Sequence, residues 1–306
     1  MSLRLEMLQV ARLAPQALGE STGLVRDFLL SQQNGDGGFK DRAGRSDLYY
    51  TVFGIDGLIA LQADWPHARV EKFLCAFGAG EELDFVHLCC LARCWATVWD
   101  RKKDHSRAAE MRNRILQRIE TFRARDGGYR PMAGSDGGTA YGAFLALGAR
   151  QDLRADPPDA QRLVESLSSL RTADGAWTNE PPRPAASGLL PATGSTNATA
   201  AAISVLRNLG APMPSGAGAW LLAQAHPQGG FRAAPQAPLP DLLSTATALH
   251  ALAGLQISFA HLKEACLDFI DTLWTNEGGF YGHWGDDTLD CEYTFYALLA
   301  LGHLSL

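Results

Sequence analysis

Four carboxylates crowd a short segment near the end of the chain: Asp286, Asp287, Asp290 and Glu292. Adjacent Asp residues in a loop serve most simply as solvated or helix-capping groups. A second constellation, His87, Cys90 and Cys94, is spaced i, i+3 and i+7, which puts all three on one face of a helix. Imidazole and thiolate bind zinc, but three ligands from one helix with no evident fourth read better as buried small residues. His250 lies within an apolar stretch and reads as a core or cavity-wall histidine. Tyr49, Tyr50, Trp95, Trp99, Tyr141, Phe144, Tyr293 and Tyr296 all fall on apolar segments. Each alone is ordinary packing. Together they can wall a cavity for an apolar small molecule, where ring faces also stabilise positive charge. No Walker loop, dinucleotide fingerprint, His-Glu-x-x-His or Gly-x-Ser-x-Gly motif is present.

The elements that must position these residues come from an internal repeat. One phrase recurs as Asp36-Gly37-Gly38-Phe39, Asp126-Gly127-Gly128-Tyr129, Asp174-Gly175-Ala176-Trp177, Gln228-Gly229-Gly230-Phe231 and Glu277-Gly278-Gly279-Phe280. The aromatics are separated by 90, 48, 54 and 49 residues, and the first gap predicts a degenerate copy around Gly78 and Gly80. Amphipathic stretches precede the phrase at Gly23–Gln33, Arg112–Arg123, Gln161–Leu170, Gly216–Gln224 and Leu262–Thr275. More uniformly apolar, Ala- and Leu-rich stretches follow at Asp47–Leu61, Asp84–Trp99, Gly137–Leu147, Ser195–Leu209, Asp241–Leu252 and Asp290–Leu301. Their apolar spacing is helical. Asp47, Asp84, Asp136, Ser195, Asp241 and Asp290 are the expected N-caps. The repeat therefore predicts an all-α, single-domain α6–α6 toroid: six helical hairpins over 21–306, with a helical extension over 1–20. The apolar second helices form the inner ring, and their burial favours closure over an open solenoid. Asn179–Thr193 and Ala233–Pro240, both Pro-rich, are expected to be surface loops at one rim.

Composition narrows the function classes. Lys and Arg total 27 against 33 Asp and Glu, a net charge of −6, which argues against general nucleic-acid binding. The basic stretch from Arg101 to Arg118 reads as a solvated helix face. Six cysteines without framework spacing suggest reduced thiols in a cytoplasmic protein. Neither a signal peptide nor a transmembrane segment is expected.

The repeat resembles the prenyltransferase and squalene-oxidase repeats of protein prenyltransferase β-subunits and of squalene–hopene and related terpene cyclases. The resemblance runs from about Leu24 to Leu304 and is strongest at Ser46–Leu58, Asp241–Thr245, Gly279–His283 and Asp290–Thr294. It implies an isoprenoid ligand and a site where repeats six and one meet. The β-subunits hold a catalytic zinc with Asp-x-Cys on one inner helix and His on the next. Aligning Tyr293 puts Asp290 on that Asp and Glu292 on that Cys, while Cys291 is offset by one position, about 100° round the helix. Tyr50 takes the place of the His. The resemblance thus implies metal-dependent prenyl transfer with a degenerate zinc site. Asp290, with Glu292 or Cys291 and His283, would hold the metal. Tyr49, Tyr50, Trp99, Tyr141, Tyr293 and Tyr296 would shape the substrate pocket. The relatives' diphosphate-binding Arg and Lys fall near Gly282-His283 and Asp286-Asp287, where acids would need magnesium to bridge a diphosphate. From the cyclase side, Asp286-Asp287-Thr288 resembles the end of Asp-x-Asp-Asp-Thr, with Trp284 at its first position. That implies Asp286 or Asp287 as a buried acid, with raised pKa, that protonates an alkene. The changed residues Tyr50 and Glu292 favour a third reading, a non-catalytic toroid binding a lipid or a protein. Protein-modifying relatives act as heterodimers, so the resemblance raises an α-type partner subunit, with a homo-oligomer as the alternative.

Overall fold

Each Gly-Gly-aromatic phrase becomes the turn of a helical hairpin. The computed structural model describes residues 2–102, 108–180, 184–185, 188–189 and 193–306. Two N-terminal helices, α1 (Leu3–Ala11) and α2 (Pro15–Leu18), precede the hairpins. The first two hairpins are α3 (Thr22–Ser31) with α4 (Leu48–Ala60), and α5 (His67–Cys75) with α6 (Phe85–Lys102). Next come α7 (Ala108–Glu120) with α8 (Ala140–Asp152), and α9 (Ala160–Ser169) with α10 (Thr196–Asn208). The last are α11 (Ala217–Leu222) with α12 (Leu242–Gly254), and α13 (Lys263–Asp271) with α14 (Cys291–Leu304). The degenerate copy is real: Gly78 and Gly80 both take positive φ in the turn between α5 and α6.

The second helices pack in the order α4, α6, α8, α10, α12, α14 and back to α4, so the ring is closed. Burial separates the two layers. In α4 only Tyr49, Tyr50 and Ile59 are not fully buried, whereas α13 buries just Cys266, Phe269 and Ile270. A helix apolar all round must be covered on both sides, and only the inner ring offers that.

The turn aromatics Phe39, Tyr129, Trp177, Phe231 and Phe280 are all buried. Four of them hand a backbone N–H to a threonine hydroxyl inside the inner helix that follows. The distances are 3.0 Å for Phe39 to Thr51, 3.0 Å for Trp177 to Thr199, 2.9 Å for Phe231 to Thr245 and 3.4 Å for Phe280 to Thr294. Glycine lets these turns press on the next outer helix. At Gly278, φ is +91°, and a Cβ would come within 2.2 Å of the Leu24 carbonyl oxygen. That contact joins the sixth unit to α3 of the first and closes the outer layer.

The caps follow expectation at Asp47, Asp84, Ser195, Asp241 and Asp290. At α8 the cap is Thr139, which accepts from Gly142 N, while Asp136 pairs with Arg125. Gly137 and Gly138 extend the loop past Asp136, so the helix starts later than its Asp suggested. Short antiparallel pairs join Phe39–Lys40 to Ser46–Asp47, Pro184–Ala185 to Gly188–Leu189, and Phe231–Arg232 to Pro240–Asp241. Much of the expected Asn179–Thr193 loop lies outside the described residues. Among the described residues, no helix is long and apolar enough to cross a membrane.

The N-terminal segment is a plug. α1 packs against α4, α8, α10 and α14 at the end of the ring opposite the caps. Arg4 Nε lies 2.9 Å from Asp56 Oδ1, and both side chains are buried. Arg93 approaches Asp56 at 3.7 Å and Asp152 at 3.3 Å, completing a buried four-charge cluster. Removing one partner of a buried ion pair strands the other. Arg4→Met is therefore expected to lower the unfolding free energy by about 3 kcal/mol, read by urea denaturation at neutral pH.

Candidate functional site

All six inner helices run the same way, so their N-termini and caps surround one mouth of the ring. The partial positive ends of six helices converge there, which explains the concentration of acids. Asp47 and Asp84, capping α4 and α6, are bridged by His87: Nε2 is 3.0 Å from Asp47 and Nδ1 is 2.7 Å from Asp84. The imidazole therefore serves the rim, while Cys90 and Cys94 are buried thiols pushed upward by burial.

Arg42, from the turn between α3 and α4, governs the seam between units six and one. Its Nε donates to Asp290 at 2.8 Å, and its Nη2 donates to Asp286 at 2.9 Å. Its guanidinium also lies 5.2 Å from the centre of the Tyr293 ring. Asp290 is both N-cap and ion-pair partner. Its burial raises its pKa, outweighing the lowering by the Tyr293 amide and Arg42. Asp286 is less buried; burial opposes ionisation, but bonds from Arg42 and backbone amides hold its pKa below the ordinary value. Asp287 is exposed on the loop and accepts from the Thr288 hydroxyl. Neither adjacent Asp fits the role of a buried, protonated acid.

The sequence-aligned metal donors do not converge. Asp290 faces Arg42, Cys291 is fully buried with its thiol pushed well up, and Glu292 accepts from Tyr49 Oη at 2.6 Å. His283 Nδ1 accepts from the Gly285 amide at 3.0 Å. Among the described residues, no three His, Cys, Asp or Glu side chains gather as a metal site. Arg42 already pairs with Asp286 and Asp290, two of the carboxylates that would receive a cation. This donor set fits neither zinc nor a magnesium bridge.

Below the mouth lies a cavity of about 400 Å³. Tyr49 from α4, Tyr141 and Phe144 from α8 and Tyr296 from α14 form one wall. Ala198, Ala200 and Ala201 from α10 open the other wall, with Thr247 and His250 from α12 beside them, and Met7 of α1 also lines the cavity. Burial raises the phenol pKa of Tyr49, Tyr141 and Tyr296, so all three stay neutral O–H groups. Burial also lifts Glu292 to about 7, although the hydrogen bond from Tyr49 pulls the other way.

Three expected pocket residues, Tyr49, Tyr141 and Tyr296, thus meet in the cavity. Tyr293 stands at the seam under Arg42, and burial raises its phenol to about 12, as it does that of Tyr50. Trp99 stacks on Trp95 with centroids 5.3 Å apart and does not line the cavity. Arg42, Met7 and the alanine wall were not singled out by residue type. Arg42 lies over 240 positions from its partners, and a run of alanines signals only a good helix former.

The His87 bridge has a pH signature. Its partners raise its pKa from the ordinary 6.5 to about 9, led by the hydrogen bond to Asp47 against the cost of burial. A folded-state pKa raised in this way stabilises fully below 6.5, and the effect fades as pH climbs through about 9. Between about pH 6 and about pH 9.5, the denaturation midpoint should fall further in the native chain than in His87→Gln, measured in urea with matched buffers.

The sequence pattern of the prenyltransferase alpha-alpha toroid domain matches residues 13–89 and 198–305, more than half of the chain. No curated protein matches by sequence. Among solved structures, the type II terpene cyclase MstE from Scytonema, in complex with geranylgeranyl dihydroxybenzoate, superposes with a TM-score of 0.64 at 15% identity, covering 95% of this chain and 97% of that one. Candida albicans protein geranylgeranyltransferase-I complexed with GGPP gives a TM-score of 0.51 at 14% identity, covering 96% and 81%. An alpha-1,6-mannanase of Salegentibacter gives 0.65 at 13% identity, covering 94% and 98%. These likenesses concern the fold, which hosts both isoprenoid and carbohydrate chemistry. With its repeats, closed ring and matching pattern, the chain belongs to the prenyltransferase alpha-alpha toroid family.

Proposed function

We propose that this protein takes an isoprenoid chain into the cavity of its ring and acts on it by proton chemistry, in the manner of a type II terpene cyclase. The observation that carries the reading is the cavity itself. Aromatic rings line one side, and alanines, with a few polar groups between them, line the other, which suits a branched, unsaturated hydrocarbon chain. Ring faces there would stabilise a carbocation as charge moves along the chain. Zinc-dependent prenyl transfer finds less support, because Arg42 occupies the aspartates.

In this reading the acid is Glu292, rather than Asp286 or Asp287. It is largely buried, titrates near neutrality and sits one hydrogen bond behind the aromatic wall. The proton would pass through Tyr49: the phenol O–H bond would break as a C–H bond forms on a terminal alkene, and the Glu292 O–H proton would move to the phenol oxygen. Tyr49 would then donate to the carboxylate left behind. The proton is returned when the final cation loses one, so the product is an isomer of the substrate.

Incubation with geranylgeraniol, followed by gas chromatography and mass spectrometry, tests the chemistry. Cyclic isomers are expected from the native chain, and Glu292→Gln should still bind the probe while forming at least about a hundredfold less product, the scale of general acid catalysis. Binding without any cyclisation would leave a lipid-binding toroid. Ala201→Phe, which pushes a ring into the cavity, is expected to weaken geranylgeraniol binding at least about tenfold, measured by fluorescence titration, while the circular dichroism spectrum is retained.

A further inference from the structure

The cavity contains a pair of histidines that the proton chemistry above does not use. His250, on α12, lines the cavity, and its Nδ1 lies 3.0 Å from Nε2 of His303 on α14. His250 is eight residues along its helix, about 12 Å below the rim at 1.5 Å per residue. His303 is buried, and its Nδ1 is sealed from solvent with no hydrogen-bond partner. His250 Nε2 also has no partner among the described residues, yet it is not one of the sealed polar atoms. It opens onto the cavity that its ring lines.

Both rings are neutral at physiological pH. Burial pushes His250 down to about 4, helped by Arg207, and pushes His303 down to about 3. Two neutral imidazoles share two protons over four nitrogens, and one proton must occupy the bond between them. Only two arrangements do this without opposing lone pairs. In the first, His250 Nδ1–H donates to His303, and the second proton is stranded on the sealed Nδ1 of His303. In the other, His303 Nε2–H donates to His250, and the second proton sits on His250 Nε2, facing the cavity. A buried N–H without an acceptor forfeits a hydrogen bond outright, and such orphans are rare. The second arrangement avoids one.

The two hydroxyls nearest to His250 on that wall have committed their protons. The Ser204 hydroxyl donates to the Ala200 carbonyl at 2.8 Å, and the Thr247 hydroxyl donates to Asn197 Oδ1 at 2.9 Å. Thr247 and His250 are three residues apart and share a helix face. At the depth of Ala201 and Ser204 on the neighbouring helix, His250 is thus a fixed hydrogen-bond donor awaiting an acceptor.

We infer that the isoprenoid taken by this protein carries an accepting oxygen, such as a carbonyl, ether or hydroxyl, at the end that reaches inward, and that His250 Nε2–H, oriented by His303, recognises it. The inference deepens the isoprenoid reading and rests on it for the identity of the chain. The tautomer stands independently.

Two measurements separate these layers. On ligand-free protein labelled with ¹⁵N-histidine, long-range ¹H–¹⁵N correlation should show His250 protonated at Nε2, with His250→Phe assigning the signal. Protonation at Nδ1 would overturn the donor role. For the ligand, farnesylacetone, an isoprenoid ketone, is compared with the matching hydrocarbon. Native protein should bind the ketone about tenfold more tightly, the worth of one buried hydrogen bond, and shift its infrared carbonyl band to lower frequency. His250→Phe should erase both the preference and the shift while keeping hydrocarbon affinity, and His250→Gln, which retains an N–H, should restore part of each. Equal binding of both probes by the native chain would refute oxygen recognition. Failure to bind either would refute the isoprenoid reading, leaving the tautomer measurement to judge the histidine pair.

Discussion

The ring stands on one recurring contact: at four of its six turns a buried aromatic gives its backbone N–H to a threonine inside the inner helix that follows. The amide could not remain unpaired in that environment. In three units the threonine donates in turn to the carbonyl of the cap residue one turn earlier: Thr51 to Asp47, Thr245 to Asp241 and Thr294 to Asp290. Turn, cap and first helical turn are thereby locked together in those units, and their inner helices are set pointing the same way. Acid at the mouth follows from this geometry, because converging helix N-termini attract carboxylates whether or not chemistry is done there. An acid available for reaction must be one that the capping does not consume. Glu292, two residues past the Asp290 cap, meets that condition.

Arg42 shows how a seam can alter inherited chemistry. Where units six and one meet, one guanidinium satisfies two aspartates from the last unit and covers a tyrosine. Arginine's planar fork suits such a bridge better than lysine's point charge. The same contact couples the first and last units of the ring, adding a polar tie beside the Gly278 contact with Leu24. Two of the carboxylates that a zinc or magnesium ion would need are thus tied into structural closure. What remains for chemistry is neutral or weakly acidic: phenols held as O–H, a glutamic acid near neutrality and an uncharged imidazole.

The closed ring was legible because its signal repeats. Five turns with glycine and a buried aromatic, and six apolar helices, over-determine a toroid, and even the degenerate copy at Gly78 and Gly80 could be placed by spacing. Thr139 was missed as a cap because Asp136 offered the stronger local preference, while the intervening glycines delayed the helix. The aromatic side of the cavity was partly legible: Tyr49, Tyr141 and Tyr296 met there, whereas Trp99 turned to Trp95. Rotation within a ring is decided by neighbours, and periodicity alone does not distinguish the face toward the axis from the face toward the next helix. Arg42 and the α1 plug were illegible for another reason. Their partners are far away in sequence, and an arginine in a turn or a short N-terminal helix carries no local mark of its destination.

The cavity's volume has a similarly indirect origin. It lies where large residues are missing: α10 presents alanines toward the axis, while α4, α8 and α14 present rings. Packing at the density of a protein interior would otherwise fill the centre of such a barrel. Walls held apart in this way give up the contacts that a filled core would make, so the cavity is kept at a cost in packing. That cost falls on one wall, and that wall also carries the neutral histidine. Volume and donor are therefore supplied together by α10 and α12, leaving the aromatic wall to make the less directional contacts. A ligand fitting this division would be read at one end by a hydrogen bond and along its length by shape. In such an arrangement α10 and α12 set substrate choice, and α4 and α14, which carry Tyr49 and Glu292, set the chemistry.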